Sequence, residues 1–265
     1  MSENPENAQV NFPVVFVGGA PRSGTTVTQA LLCTSDRANA YCPEISFLFP
    51  IVNSYAVGVR NWNIHTHAFF KAPDDFRLHI RDHVQRSLNK VAEALGNPEV
   101  LVVKDPLITP LFYWLNRLFG PQMKFVTVVR NPNDVVRSRQ AVIEKNGGQF
   151  TAAVAREAAA EYMRSYAHLD VPEMRDAVFT LRYEDLTSDT KIAALSAFTD
   201  LPDVSVDKVW TEERAVSENE AADPWFSPKY HKPINTANRL DPLAPQFRDI
   251  VSEVCSPLMA RFGWA

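Results

Sequence analysis

The feature that most restricts the fold of this chain lies between residues 12 and 33. Residues 12–19 (FPVVFVGG) are a short β-branched and aromatic run, which reads as a buried strand over 13–18. The glycine-bearing stretch Gly19-Ala-Pro-Arg22-Ser23-Gly24-Thr25-Thr26 follows, and residues 27–33 read as a helix. Strand, glycine loop and helix in that order open a P-loop βα unit. The spacing is that of GxxxxGK[ST] with one change: Thr25 stands where that pattern has lysine. The backbone logic of an anion site survives. Small residues let successive N–H groups point inward, and a helix N-terminus adds its dipole. Thr25 and Thr26 add hydroxyl groups, and Arg22 brings positive charge from a different position.

The rest of the chain alternates in the same way. Residues 99–104 (EVLVVK), 124–130 (KFVTVVR) and 177–182 (AVFTLR) read as strands. Helices are expected at 75–96, 107–119, 132–145, 151–169, 188–199, 205–216 and 246–262. The third strand-to-helix signal is specific: Asn131 as N-cap, Pro132 at the first helical position and Asp134 in the first turn, with Asn146-Gly147-Gly148 as the stop. Val154, Ala158, Tyr162 and Tyr166 recur every four residues on one face of the 151–169 helix. Residues 41–72 are aromatic and irregular, a mixture of helix and loop. Residues 221–245 hold five prolines and no periodicity, and read as a long loop.

Strands separated by helices imply a parallel sheet with both faces covered. The fold class expected is therefore α/β, a P-loop-type three-layer α/β/α arrangement with a central, mainly parallel sheet flanked by helices. With 265 residues, 46% of them apolar and 22% charged, the chain is long enough for one α/β domain over 12–265. Residues 1–11 read as a loose polar tail in front of it.

Charge and cysteine usage remove other classes. A formal charge of −4 without a basic stripe argues against a nucleic-acid partner. Cys33, Cys42 and Cys255 form an odd, sparse set with no CxxC pair. That is neither a disulfide framework nor a zinc site, and fits free thiols in a reducing compartment. The polar N-terminus has no basic region followed by an apolar one, and no apolar run approaches the ~18 residues of a membrane span. A cytoplasmic protein is expected.

The missing lysine directs the chemistry. In nucleoside triphosphatases that lysine holds the β- and γ-phosphates, so cleavage of a γ-phosphate is disfavoured here. The loop suits one 5′-phosphate and one further anionic group. Arg130 ends a strand, and Ser138 lies eight residues on, in the next helix. Ligands of open α/β sheets bind beyond the carboxyl ends of the strands, which places Arg130 and the loop on one edge. A second phosphate site there fits a nucleotide carrying a separate phosphate.

Together these segments resemble the sulfotransferases that use 3′-phosphoadenosine 5′-phosphosulfate (PAPS). Their 5′-phosphosulfate loop, P-[RK]-S-G-T-T, stands here as Pro21-Arg22-Ser23-Gly24-Thr25-Thr26. Their 3′-phosphate motif, an Arg ending a strand and a Ser in the next helix, matches Arg130 and Ser138. Arg182-Tyr183-Glu184-Asp185-Leu186 resembles the RYEDL segment, whose Tyr lies near the adenosine, and residues 255–264 resemble the ending of bacterial members. Lys104-Asp105-Pro106 resembles the KDP segment of the branch that contains tyrosylprotein sulfotransferases, and Lys232-Pro-Ile-Asn235 is similar to that branch's KPVN loop near the cofactor. The chain resembles a bacterial member nearest to that branch. Two positions depart. Pro106 stands where the cytosolic branch has its catalytic His, and Pro43-Glu44-Ile45 stands where the tyrosylprotein branch has a Glu-Glu pair.

The resemblance implies transfer of a sulfuryl group from PAPS to an acceptor hydroxyl or amine, releasing PAP without a metal. Arg22, Ser23, Gly24, Thr25 and Thr26 would hold the 5′ end, Arg130 and Ser138 the 3′-phosphate, and Tyr183, Lys232 and Asn235 the rest of the nucleotide. Lys104 or Arg22 would stabilise charge on the leaving oxygen, and Glu44 would take the acceptor's proton. His65 and His67 are the rival bases. Asp105 is expected to orient the turn around Lys104. Phe47, Phe49, Trp62, Phe69, Phe70 and Trp225 are expected to be mostly core, with some of them lining an acceptor pocket. The acceptor stays open among small molecule, lipid, carbohydrate and peptide. Two other functions compete: a P-loop kinase acting on a small molecule, which Thr25 disfavours, and a non-catalytic module that binds PAP or another nucleotide.

Overall fold

The computed structural model describes residues 12–210, 234, 236 and 241–264. The expected tail at 1–11, and Trp225, Lys232 and Asn235, lie outside these residues. Four parallel strands form the centre: β1 (Val14–Gly18), β2 (Leu101–Lys104), β3 (Met123–Val129) and β4 (Val178–Arg182), in spatial order β2-β1-β3-β4. Val17 is level with Lys104 on one side and Val126 on the other, and Val129 is level with Arg182.

Alternate side chains of each strand face opposite layers. Val14, Phe16, Leu101, Val103, Met123 and Phe125 pack under α2 (Leu48–Arg60), α3 (Pro73–Ala94) and α4 (Phe112–Phe119). Val15, Val17, Val102, Val126, Val128 and Leu181 pack against α1 (Thr25–Leu32) and α7 (Asp189–Thr199). Both faces are covered, which is why the strands read as continuous apolar runs. A third apolar cluster joins α5 (Pro132–Lys145), α6 (Ala152–Tyr166) and α8 (Pro245–Phe262) beyond the end of β3.

Local chemistry sets the boundaries. The Asn131 side chain accepts from Asn133 N and opens α5 with Pro132 in its first turn, as expected. Thr151 caps α6 by accepting from Val154 N. Two expectations need correction. The helix expected at 107–119 starts only at Phe112, after a 3-10 turn at Thr109–Leu111. The Asp105 carboxylate accepts from Leu107 N at 2.8 Å, a side-chain turn that replaces the first helical hydrogen bonds. Of the helix expected at 205–216, the described residues form a 3-10 turn at Val206–Lys208. Residues 41–72 contain α2 and a 3-10 turn at Thr66–Ala68, the expected mixture.

Strand β2 lies at the edge of the sheet, and the segment after α1 seals it. Ala38 bridges to Val100 in parallel. Asn39 then uses its side chain as a surrogate strand: Val102 N donates to Asn39 Oδ1 at 2.6 Å, and Asn39 Nδ2 donates to Val102 O at 3.0 Å. Ile45 N donates to Lys104 O at 3.4 Å. The three cysteines are buried free thiols. No helix among the described residues is long and apolar enough to cross a membrane.

Candidate active site

The order β2-β1-β3-β4 puts the reversal of winding between β1 and β3, and a ligand crevice is expected beyond the carboxyl ends of those two strands. The loop after β1 and Arg130 after β3 both open there. Three devices hold the loop. Thr109 Oγ1 accepts from Gly19 N at 2.9 Å and donates to Gly19 O at 3.2 Å. The buried Tyr166 hydroxyl accepts from Ala20 N at 3.1 Å and donates to Val128 O at 2.8 Å. The Tyr162 hydroxyl donates to Arg130 O at 2.8 Å, so α6 braces both sides of the crevice. Burial pushes the pKa of both phenols up, and they remain neutral donors.

The loop conformation needs its glycines. Gly24 has φ of 110°, and a Cβ there would meet the Tyr183 ring at 2.5 Å. Arg22 adopts φ of 76°, a left-handed backbone that is uncommon for a residue with a side chain and recurs at functional loops. No side chain caps the N-terminus of α1, so its first N–H groups face the loop without an internal competitor.

The cations gather at this edge. Arg22 Nε donates to Ser138 Oγ at 3.2 Å, joining the loop to α5. The Arg130 guanidinium lies 4.3 Å from the centroid of the Tyr183 ring. Its buried Nε is 3.9 Å from Asp134 Oδ2 and has no hydrogen-bond partner. Tyr183 thus stacks between Gly24 and Arg130. Arg182 lies over the Trp264 ring at 5.4 Å, which ties the end of α8 to the same edge.

Lys104 and Glu44, sixty residues apart, meet beside β1. Lys104 Nζ donates to Glu44 Oε1 at 2.7 Å; the lysine side chain is 4% exposed and the glutamate 42%. A buried ammonium is thereby matched to a carboxylate that still faces solvent. Asp105 next to it is fully buried. Burial pushes its pKa up to about 6; the Leu107 N–H opposes that shift, the Glu44 charge adds to it, and the Ser46 hydroxyl and Lys104 lower it slightly. His65 and His67 sit in the segment after α2, where His67 Nδ1 lies 2.8 Å from Trp62 O. The contact with Lys104 belongs to Glu44.

The structure thus brings Arg22, Ser23, Gly24, Thr25, Thr26, Arg130, Ser138 and Tyr183 to the carboxyl-end edge of the sheet, with Lys104 and Glu44 on its β2 side. Sequence reasoning missed Thr109 and the bracing role of Tyr162 and Tyr166. Two tyrosines on an otherwise alanine-rich helix face were the available signal; Thr109 carried none. Among the described residues no group of three or more His, Cys, Asp or Glu is placed to hold a metal ion.

The fold has counterparts among solved structures. The fold matches the sulfotransferase domain of the curacin biosynthetic pathway at TM-score 0.51 and 18% identity, over 91% of this chain and 97% of that one. It matches the sulfotransferase domain of the Synechococcus PCC 7002 olefin synthase at 0.54 and 17%, over 96% and 98%. It matches sulfotransferase STF9 from Mycobacterium avium at 0.55 and 14%, over 96% and 77%. At these identities the likeness is one of fold. No curated protein matches the sequence. The description "Sulfotransferase family" fits residues 13–204, which hold all four strands, the loop after β1 and the Lys104–Glu44 pair, and the chain belongs to that family.

Proposed function

We propose that this protein transfers a sulfuryl group from PAPS to a hydroxyl or amine of an acceptor and releases PAP. The observation that carries the reading is the Lys104–Glu44 contact on the same sheet edge as the Arg22 loop and Arg130. A donor with charge at both ends needs two separated anion sites. The α1 N-terminus with Arg22 offers one, and Arg130, whose Nε makes no hydrogen bond, offers the other. Ser138 bonds Arg22, which couples the two. Tyr183, in contact with both Gly24 and Arg130, stands between the two anion sites, where the adenosine would lie.

The chain's own groups divide the work. Loop N–H groups, Thr25 and Thr26 hold the 5′-phosphosulfate. Glu44 accepts the proton of the attacking hydroxyl through its exposed face as the new O–S bond forms. The bond from sulfur to the bridging oxygen breaks, and that oxygen leaves with the electron pair as part of PAP. Lys104 and Arg22 stabilise the growing charge. Lys104-Asp105-Pro106 supports placement nearest to the tyrosylprotein-sulfotransferase-like branch; Lys232 and Asn235, the other support, lie outside the described residues.

Thermal unfolding with PAP, adenosine 5′-phosphosulfate and Mg-ATP tests the donor. A ligand that binds only the folded state raises the melting temperature. PAP should raise Tm most, and Arg130→Ala should abolish that rise. Stabilisation by Mg-ATP with indifference to PAP would overturn the reading in favour of a kinase.

A further inference from the structure

We infer that Asn39 is a positioning residue for the proton transfer: its side chain fastens the segment that carries Glu44, and so holds that carboxylate on Lys104. This deepens the proposed transfer reaction and rests on Glu44 as its proton acceptor. Glu44 has no rigid element of its own beneath it. Residues 39–45 form neither helix nor strand, and Pro43 and Glu44 are exposed. A reacting group nevertheless has to be held to about 0.5 Å, and a misplacement of about 1 Å can cost about a hundredfold in rate.

The hold comes from β2. An edge strand presents a row of N–H and C=O groups on its open side. Here Val100 N donates to Arg37 O at 3.0 Å, Val102 exchanges two bonds with the Asn39 amide at 2.6 and 3.0 Å, and Lys104 O accepts from Ile45 N at 3.4 Å. A side-chain amide carries the same acceptor and donor as a peptide group, so Asn39 pairs as backbone would. It is buried, and Cys42 is seated beside it: Cys42 Sγ lies 3.8 Å from Asn39 Nδ2 and accepts from Gln29 Nε2 at 3.2 Å. Ile45 comes six residues after Asn39, yet their partners Val102 and Lys104 are two apart. The segment therefore has spare length, and its points of attachment, not its tautness, decide where Glu44 stands. Of the bonds in the row the one at Ile45 is the longest, so the fixed point nearest to Glu44 on the other side is the Asn39 pair.

Asn39→Ala tests this by amide hydrogen exchange and by PAP release from PAPS with water as the acceptor. The Ile45 amide should exchange about tenfold faster or more, and the Phe125 amide, which donates to Ala177 O, far less so. Turnover should fall about tenfold or more while the Tm rise with PAP is unchanged. In a Glu44→Gln background the same substitution should cost less than about twofold, because the group it positions is gone. Val84→Ala, a core truncation on α3, controls for lost stability and should leave turnover per folded molecule within about twofold. Asn39→Asp is the milder variant. Its neutral carboxyl can accept from Val102 N and donate to Val102 O, whereas its ionised form cannot donate. Its turnover should approach that of the wild type at low pH and fall behind as pH rises. An Ile45 amide that keeps its wild-type rate, an equal loss in the Glu44→Gln background, an equal loss in Val84→Ala, or an Asn39→Asp variant that is slow at every pH overturns the inference. If the wild type releases no PAP, or Glu44→Gln costs nothing, while the Ile45 amide still responds, the transfer reading or the role of Glu44 falls and the fastening by Asn39 stands.

Discussion

At the scale of single residues the site separates binding from chemistry. On the proposed roles, Glu44→Gln removes the proton acceptor while keeping a hydrogen-bonding group beside Lys104. Turnover should fall about 10²–10⁴-fold. Lys104→Met should lower it about 10²–10³-fold through lost charge stabilisation. Neither side chain touches Arg22, Arg130 or Tyr183 in the contacts described, so the PAP-induced Tm rise should survive both. A PAP-binding module would show that rise with no turnover to lose. Much of this was legible in sequence because the loop, Arg130 and Lys104 all end strands or follow them directly. The Arg22–Ser138 contact was not. The motif pairs Ser138 with Arg130, whereas the left-handed backbone at Arg22 turns that side chain onto α5.

At the scale of elements, α6 is a brace. Tyr162 and Tyr166 stack edge to face with centroids 4.7 Å apart, and each spends its hydroxyl on backbone at the crevice. Tyr166→Phe leaves Ala20 N and Val128 O buried without that partner. Each such group costs about 1–3 kcal/mol, to be read from urea unfolding midpoints, and PAP affinity should drop with it. The strands and most helices were readable from apolar runs and caps, since each signal is local. The start of α4 was not, because the Asp105 turn competes with helix only once Asp105 is buried. The strap at 38–45 was equally hidden: a single Asn side chain replaces strand backbone, and no periodicity announces it.

At the scale of the whole molecule two buried groups pull acid stability in opposite directions. Asp105 titrates near 6 in the fold against an ordinary 3.8, so its contribution is present below about pH 4 and lost as pH rises through 6. His168, buried against Thr127 at 2.8 Å, is pushed down to about 4 from 6.5. Its contribution is present above pH 6.5 and lost as pH falls towards 4. Asp105→Asn keeps an acceptor for Leu107 N and removes the first titration only. The Tm of that variant minus that of the wild type should therefore grow between pH 4 and about 6.5, by several degrees, then level off. A difference that is constant with pH would show that Asp105 titrates normally.

The strap along β2 carries one more consequence. An open sheet edge is a template for pairing with other chains, and proteins cover such edges to avoid aggregation. Here the cover and the carrier of Glu44 are the same few residues, with Asn39 fastening one end and Glu44 the other. Loosening the strap would uncover a sticky edge and pull the carboxylate from Lys104 together. Selection for solubility alone therefore keeps this part of the site assembled.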